Sequence, residues 1–253
     1  MKALGQELVS RDAGVSSWFV ASASLVVRFG LGALVLLVAR SARPTRSELV
    51  QGLGLALSSG IGMLFQMDGL SYTAASTSAF LTQGYVVILS VVAAVRERRL
   101  PSARIALCVL TICVGLGLLA HFNPSTLALG RGETETLCAA ACFAVQILLL
   151  DAPGYRGNRA SVVSFVMFAG LAAALAPIAA YSAQSTHELT LLFASTQSVL
   201  ILLALSMLCT TLTFALMNRY QPALSASEAG IVYGAEPVFT SLYALFLPSW
   251  LGR

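Results

Sequence analysis

Eight stretches of roughly 20 mostly apolar residues, joined by short polar linkers, leave this chain few folds to choose from. They run approximately from Ser17 to Ala39, Leu49 to Gln66, Thr73 to Val95, Ala103 to Ala120, Thr134 to Leu150, Ala160 to Tyr181, Gln197 to Met217 and Ala223 to Leu247. In hydrocarbon every backbone N–H and C=O must find a partner within the protein, so each run is predicted to cross the bilayer as a helix. Composition agrees. Of 253 residues 57% are hydrophobic and 10% charged, against about a quarter charged in a soluble domain. The expected fold class is an all-α membrane protein, a bundle of about eight transmembrane helices.

The basic residues set orientation and exclude a nucleic-acid surface. Arg40, Arg43 and Arg46 follow the first run, Arg96, Arg98, Arg99 and Arg104 the third, Arg156 and Arg159 the fifth, and Arg219 the seventh, whereas the intervening linkers hold only Arg131. Arginine gathers in cytoplasmic loops, so the Arg-rich linkers are expected inside and both chain ends outside. Trp18 and Trp250 then fall at the outer interface. Lys2 is the sole lysine, and the net charge of +4 is a topology signal rather than a binding patch. The first fifteen residues, with Glu7, Arg11 and Asp12, are too polar for the core of a signal peptide. All five cysteines (Cys108, Cys113, Cys138, Cys142, Cys209) lie in apolar runs and read as small packing residues.

Within the second run, Gly54, Ser58 and Gly62 form one row and Gly52, Ala56 and Gly60 the next, two small-residue grooves for close helix packing. Polar side chains inside a span face a cavity or another helix. In the third run Ser76, Gln83 and Ser90 share one face, while Ser78, Thr82 and Tyr85 share roughly the opposite one. Such a helix either lines a cavity or lies centrally with its hydroxyls bonded to neighbours or backbone. In the last run Ser225, Glu228, Tyr233, Glu236, Thr240 and Tyr243 project within about 140°. Pro237 removes an amide and Gly234 lies in the same turn, so a kink beside Glu236 is predicted. Glu236 could relay protons, bind a cationic group, or brace Arg28 or a carbonyl freed by the kink. Glu228 stands near its helix start, where the macrodipole favours a carboxylate. Arg28 sits near the middle of the first run, or nearer the outer interface if the span begins later. Gln66, Asp68 and Tyr72 could form an outer vestibule, as could Gln146, though packing roles suit each.

No HExxH, GxGD or Walker motif occurs, and His121 and His187 fall in linkers. No enzyme, cofactor or metal site is therefore expected. The expected partners are lipid bilayer and a small-molecule solute, with no nucleic acid and a homodimer left open.

Tyr72-Thr-Ala-Ala-Ser-Thr-Ser-Ala79 resembles Tyr220-Gln-Pro-Ala-Leu-Ser-Ala-Ser227, and each copy enters a polar-faced run. Five helices separate the copies, an odd number, so the second would be inverted relative to the first, as in inverted-repeat transporters. The chain resembles the drug/metabolite transporter superfamily, specifically its EamA-type members. The resemblance rests on Arg28-Phe29, on Gly69-Leu70-Ser71-Tyr72-Thr73 followed by Ser78-Ala79-Phe80-Leu81-Thr82, and on Glu228-Ala229 with Glu236-Pro237-Val238. It implies ten helices in two inverted halves of five, with small metabolites, often amino acids, moved by alternating access across a cell membrane, often outward. On that reading residues 1–121 are a first half lacking its first helix and 122–253 a second half lacking its last. The resemblance also implies a cavity lined by Gln66, Gln83, Tyr85, Glu228, Tyr233 and Glu236, with Gly234 and Pro237 at a gating bend. The alternative is a non-transporting interaction protein or an inactive transporter fragment.

Overall fold

In a computed structural model, residues 16–39, 43–98, 103–119, 129–183, 188, 193, 195–236 and 239 are described. They form helices α1 (Ser17–Ala39), α2 (Arg46–Gly69), α3 (Ala75–Thr82), α4 (Gly84–Glu97), α5 (Ala103–Leu119), α6 (Arg131–Asp151), α7 (Ala160–Ser182), α8 (Thr196–Ala204), α9 (Thr213–Tyr220) and α10 (Ala226–Tyr233). No strand occurs among the described residues. The helices begin and end within three residues of the apolar runs wherever both ends are described. Among the described residues, six stretches are long and apolar enough to cross a membrane: Ser17–Val38, Arg46–Gly69, Thr77–Arg96, Arg131–Asp151, Ala160–Ser182 and Thr196–Ala223. α5, at 17 residues, is a turn shorter than most of these. Leu53, Leu57 and Ile61 expose one face of α2, and Val38 and Val95 stand open as well. Surface of that kind suits hydrocarbon rather than water.

The core is built where helices approach most closely. α1 packs along α7, and α2 lies between α6 and α7. Both small-residue rows of α2 are used. A Cβ on Gly52 would stand 2.6 Å from Val166 Cγ1 on α7, and one on Gly62 would stand 2.9 Å from Phe143 Cε1 on α6. Beside these contacts Phe29, Phe168 and Phe214 stack edge-to-face at centroid separations of 5.2, 5.6 and 6.2 Å, joining α1, α7 and α9.

The two ends of the bundle are fastened by charge. At one end, Thr45 and Glu48 form a capping box that starts α2. Glu48, 2% exposed, also accepts from Arg159 N (3.0 Å), Nε (2.8 Å) and Nη2 (2.8 Å). Arg159 Nη2 donates as well to the Arg43 carbonyl at 2.9 Å. Hydrogen bonding to Glu48 pushes the Arg159 pKa above its ordinary value. At the other end, Arg131 bridges Asp68 and Glu135, and Thr73 Oγ1 donates to Glu133 at 2.7 Å. The turns carrying Arg43 and Arg159 therefore share one end and Arg131 lies at the opposite one, the alternation that the arginine pattern predicts.

Two helices are interrupted. α3 stops after eight residues at Gln83, where Gln83 N bonds Phe80 O and Val86 N bonds Gln83 O, a short 3₁₀-like step before α4. α10 also stops after eight residues, at Gly234 and Ala235. The predicted kink beside Glu236 thus appears as a break at the two residues immediately before it. Pro237, Thr240 and Tyr243 lie outside the described residues.

Between α8 and α9 the chain continues without a break but widens into a π-helical stretch, Leu205–Leu212. Thr211 Oγ1 and Thr213 Oγ1 reach back five residues to the carbonyls of Ser206 and Leu208. The wide turn carries Thr210 inward, where its Oγ1 accepts from Arg28 Nε at 3.0 Å. Arg28 is 3% exposed and occupies the middle of α1, so the alternative that α1 begins later does not hold.

Candidate functional site

A cavity of about 500 Å³ opens where α2, α3, α4, α6, α9 and α10 converge. Its walls are mostly apolar, from Met63, Phe143, Ile147, Phe214, Met217, Val232 and Phe239. Into this surface project a few polar groups: Gln66, Thr82, Tyr85, Gln146, Thr213, Tyr233 and Glu236. That combination, in a volume large enough for a small molecule, is how ligand sites are usually built.

The helix breaks position the polar groups. Gln83, at the α3–α4 break, is 2% exposed and donates from Nε2 to Glu236 Oε2 at 3.4 Å. The separation is long for a bond to a carboxylate, and Gln83 Oε1 has no partner. One turn back on α3, Thr82 Oγ1 accepts from Gln66 Nε2 at 3.0 Å and itself donates to the Ser78 carbonyl at 2.8 Å. On α10, Tyr233 OH donates to Gln221 Oε1 at 2.9 Å, and Gln221 Nε2 donates to the Ile147 carbonyl at 3.2 Å. The Gln66 and Gln83 amides, the Tyr233 phenol and the Glu236 carboxyl are thus fixed around the cavity, and Glu236 remains accessible from it.

Of the residues expected at a cavity, Gln66, Tyr85, Tyr233 and Glu236 line it, and Gln83 reaches it through Glu236. Glu228 is elsewhere. It closes a capping box with Ser225, its Oε2 accepting from Ser225 N at 2.9 Å and Oγ at 2.8 Å. Glu236 bonds Gln83 and Arg28 bonds Thr210, so the two are not each other's partners. Both faces of the third run are occupied, since Ser78 meets Thr136 across to α6 and Ser90 bonds its own backbone at Val86. Thr213 and the aromatic walls escaped the sequence reading. Thr213 lies in an otherwise apolar run, and only its polarity there could have flagged it. Gln146 joins the lining, with its Nε2 3.8 Å from Met217 Sδ. No group of three His, Cys, Asp or Glu able to hold a metal converges among the described residues.

No family model matches the chain. It is 24% identical over 198 residues to an uncharacterized transporter of Archaeoglobus fulgidus, a match covering 78% of this chain and 61% of that protein. The chain therefore spans less than two thirds of that relative's length. A solved crystal structure, described only as "Crystal structure of protein", superposes with a TM-score of 0.60 at 17% identity, over 98% of this chain and 88% of that one. That likeness is one of fold. The molecule described here is an all-α bundle with helices able to cross a membrane and an open, largely apolar cavity edged by a carboxyl and amides.

Proposed function

We propose that the chain is a multi-pass membrane transporter of EamA type, moving small polar solutes by alternating access across the cell's plasma or inner membrane. Amino-acid-like molecules are its foremost substrates, and export is its working direction. The observation that carries this reading is the Gln83–Glu236 contact. It joins the break after α3 to the residue just beyond the break after α10, on the wall of a cavity of about 500 Å³.

Each break follows a helix of eight residues, Ala75–Thr82 and Ala226–Tyr233. These are the two segments that the internal echo relates, although the helix starts are 151 residues apart and the sequence echo 148. On the inverted-repeat reading they are equivalent parts of two halves, and the 3₁₀-like steps that follow them are the places where backbone dihedrals can change. The name of the Archaeoglobus relative supports a transporter in general terms.

The mechanism follows from the bonding. A solute ammonium approaching Glu236 competes with the Gln83 amide, whose bond at 3.4 Å is weak. Once the carboxyl pairs with the solute, Gln83 is free to turn its amide toward the solute's own polar groups. Phe143, Phe214 and Phe239 offer apolar surface to the rest of the molecule. Exchanging a protein contact for a solute contact at the break biases α3, α4 and α10 toward a second arrangement, which alternating access requires.

Proteoliposome flux over a panel of amino acids and related amines tests the proposal. Gln83→Ala and Glu236→Gln should each lower flux about tenfold or more, the equivalent of losing one hydrogen bond to a charged group. Flux equal to that of protein-free liposomes across the panel would contradict the reading, as would unchanged flux in both variants.

A further inference from the structure

At the Arg131 end of the bundle, two residues beyond the cavity-lining Gln66 on α2, two carboxyl groups converge on one guanidinium. Asp68, fully buried in the last turn of α2, takes Arg131 Nη2 on Oδ2 at 2.6 Å. Glu135, one turn into α6, takes Arg131 Nε on Oε1 at 2.7 Å. Each carboxyl keeps one oxygen without a donor, Asp68 Oδ1 and Glu135 Oε2, and both of these oxygens are buried. The carboxyls are direct neighbours, held together by the backbone. A Cβ on Gly69 would stand 3.0 Å from the Gly132 carbonyl and 3.4 Å from Glu135 Cβ.

We propose that Asp68 and Glu135 bind a single proton between their two unpartnered oxygens, making this end of the bundle a proton-binding site and a pH-sensitive latch. One proton satisfies both orphan acceptors, because the protonated carboxyl donates to the other. It also balances charge, since one carboxylate and one guanidinium then remain. With both carboxyls ionised, the site would hold two negative charges against one positive in a buried place, an arrangement that like-charge repulsion disfavours. The C-terminal end of α2 adds the negative pole of its macrodipole beside Asp68.

The other groups facing the pair do not remove the need for a proton. The Tyr72 ring lies under the Arg131 guanidinium at 4.3 Å, and its hydroxyl is 3.3 Å from Ser17 Oγ on α1. Glu133 is turned to Thr73. Thr136 donates to the Gly132 carbonyl at 2.8 Å and meets Ser78 from α3. Arg131 itself is 48% exposed, so water and protons can reach the pair past it. Loss of the proton to water leaves a net negative charge between α2 and α6, and that loosens the Gly69–Gly132 contact. This inference is independent of the transport reading, because it needs no solute.

Infrared spectroscopy of the purified full chain in lipid tests it, together with unfolding temperature as a function of pH. The wild type should show the carbonyl stretch of a protonated carboxyl at neutral pH that is absent from both Glu135→Gln and Asp68→Asn. The folded protein then binds one more proton than the unfolded chain above the ordinary carboxylate range, so stability should fall as pH is raised beyond that range. Glu135→Gln, whose amide donates permanently to Asp68, should lose that pH dependence. A carbonyl band common to the wild type and both variants would overturn the proposal, as would a pH profile unchanged by Glu135→Gln. Should one variant fail to accumulate, the wild-type spectrum and the other variant still decide the matter.

Discussion

Gly52→Ala is expected to cost the folded bundle about 2–3 kcal/mol, the range for forcing volume into a packed interior. Gly30→Ala, one helix away, should instead stabilise by up to about 1 kcal/mol. The substitutions are chemically identical, and only the neighbours differ. A methyl group at position 52 meets Val166 Cγ1 at 2.6 Å and Cβ at 2.7 Å, with the Val163 carbonyl at 3.1 Å behind them. Val166 is β-branched and has little rotamer freedom in a helix, so relief has to come from moving α7 away from α2. At Gly30 nothing lies within 4 Å of the added carbon, and the helix simply gains a better helix former. Unfolding of both variants in mild detergent, followed by circular dichroism, reads the difference. Equal stabilities would mean that α2 and α7 are not held at the separation described.

Arg159→Met should destabilise the fold clearly more than Glu48→Gln does. The asymmetry follows from exposure. Glu48 is 2% exposed, so removal of Arg159 strands a buried carboxylate, left with the Thr45 amide and the backbone amide of residue 159. Arg159 is 43% exposed, and without the charge on Glu48 its guanidinium turns to water and keeps the Arg43 carbonyl. That exposure also holds the cost below the range for fully buried pairs. A reversed order, with the glutamine variant the weaker, would show that the capping box at Thr45 rather than the ion pair secures this end.

How much of this was legible in the sequence depends on the range of the interaction. The helix ends follow from apolar run length, because a bilayer fixes the length of a spanning helix before any tertiary contact is chosen. Both glycine rows of α2 could be read because a spacing of four residues shows which glycines share a face, whatever helix comes to meet them. Gln83, Tyr85, Tyr233 and Glu236 stood out for the cost of polarity in a span, and the structure brings them to one region. The break at Gln83 was not legible. No proline marks it, and Gly84 alone is common inside membrane helices. The π-helical turn at Leu205–Leu212 was hidden for a similar reason, since Ser206, Thr210 and Thr211 are compatible with an ordinary helix. It is the approach of Arg28, 182 residues earlier, that uses the widened turn. Glu48 with Arg159, and Asp68 with Arg131, are likewise pairs across 111 and 63 residues. Nothing local identifies such partners until the helix neighbours are known. Glu228 illustrates the converse: the family resemblance implied a place at the cavity, but a serine three residues before it made the cap the nearer partner.

The Gln83–Glu236 contact brings the α3–α4 break against the segment just beyond α10 at the cavity wall, and thiol cross-linking tests it most directly. In a background with the native cysteines replaced by serine or alanine, Gln83→Cys is paired either with Glu236→Cys or with Glu228→Cys, and each protein is treated in membranes with a short bifunctional thiol reagent. The account predicts an efficient intramolecular cross-link between positions 83 and 236 and little between 83 and 228. Cross-linking that favours position 228, or that fails at 236 while both thiols remain reactive, would contradict it.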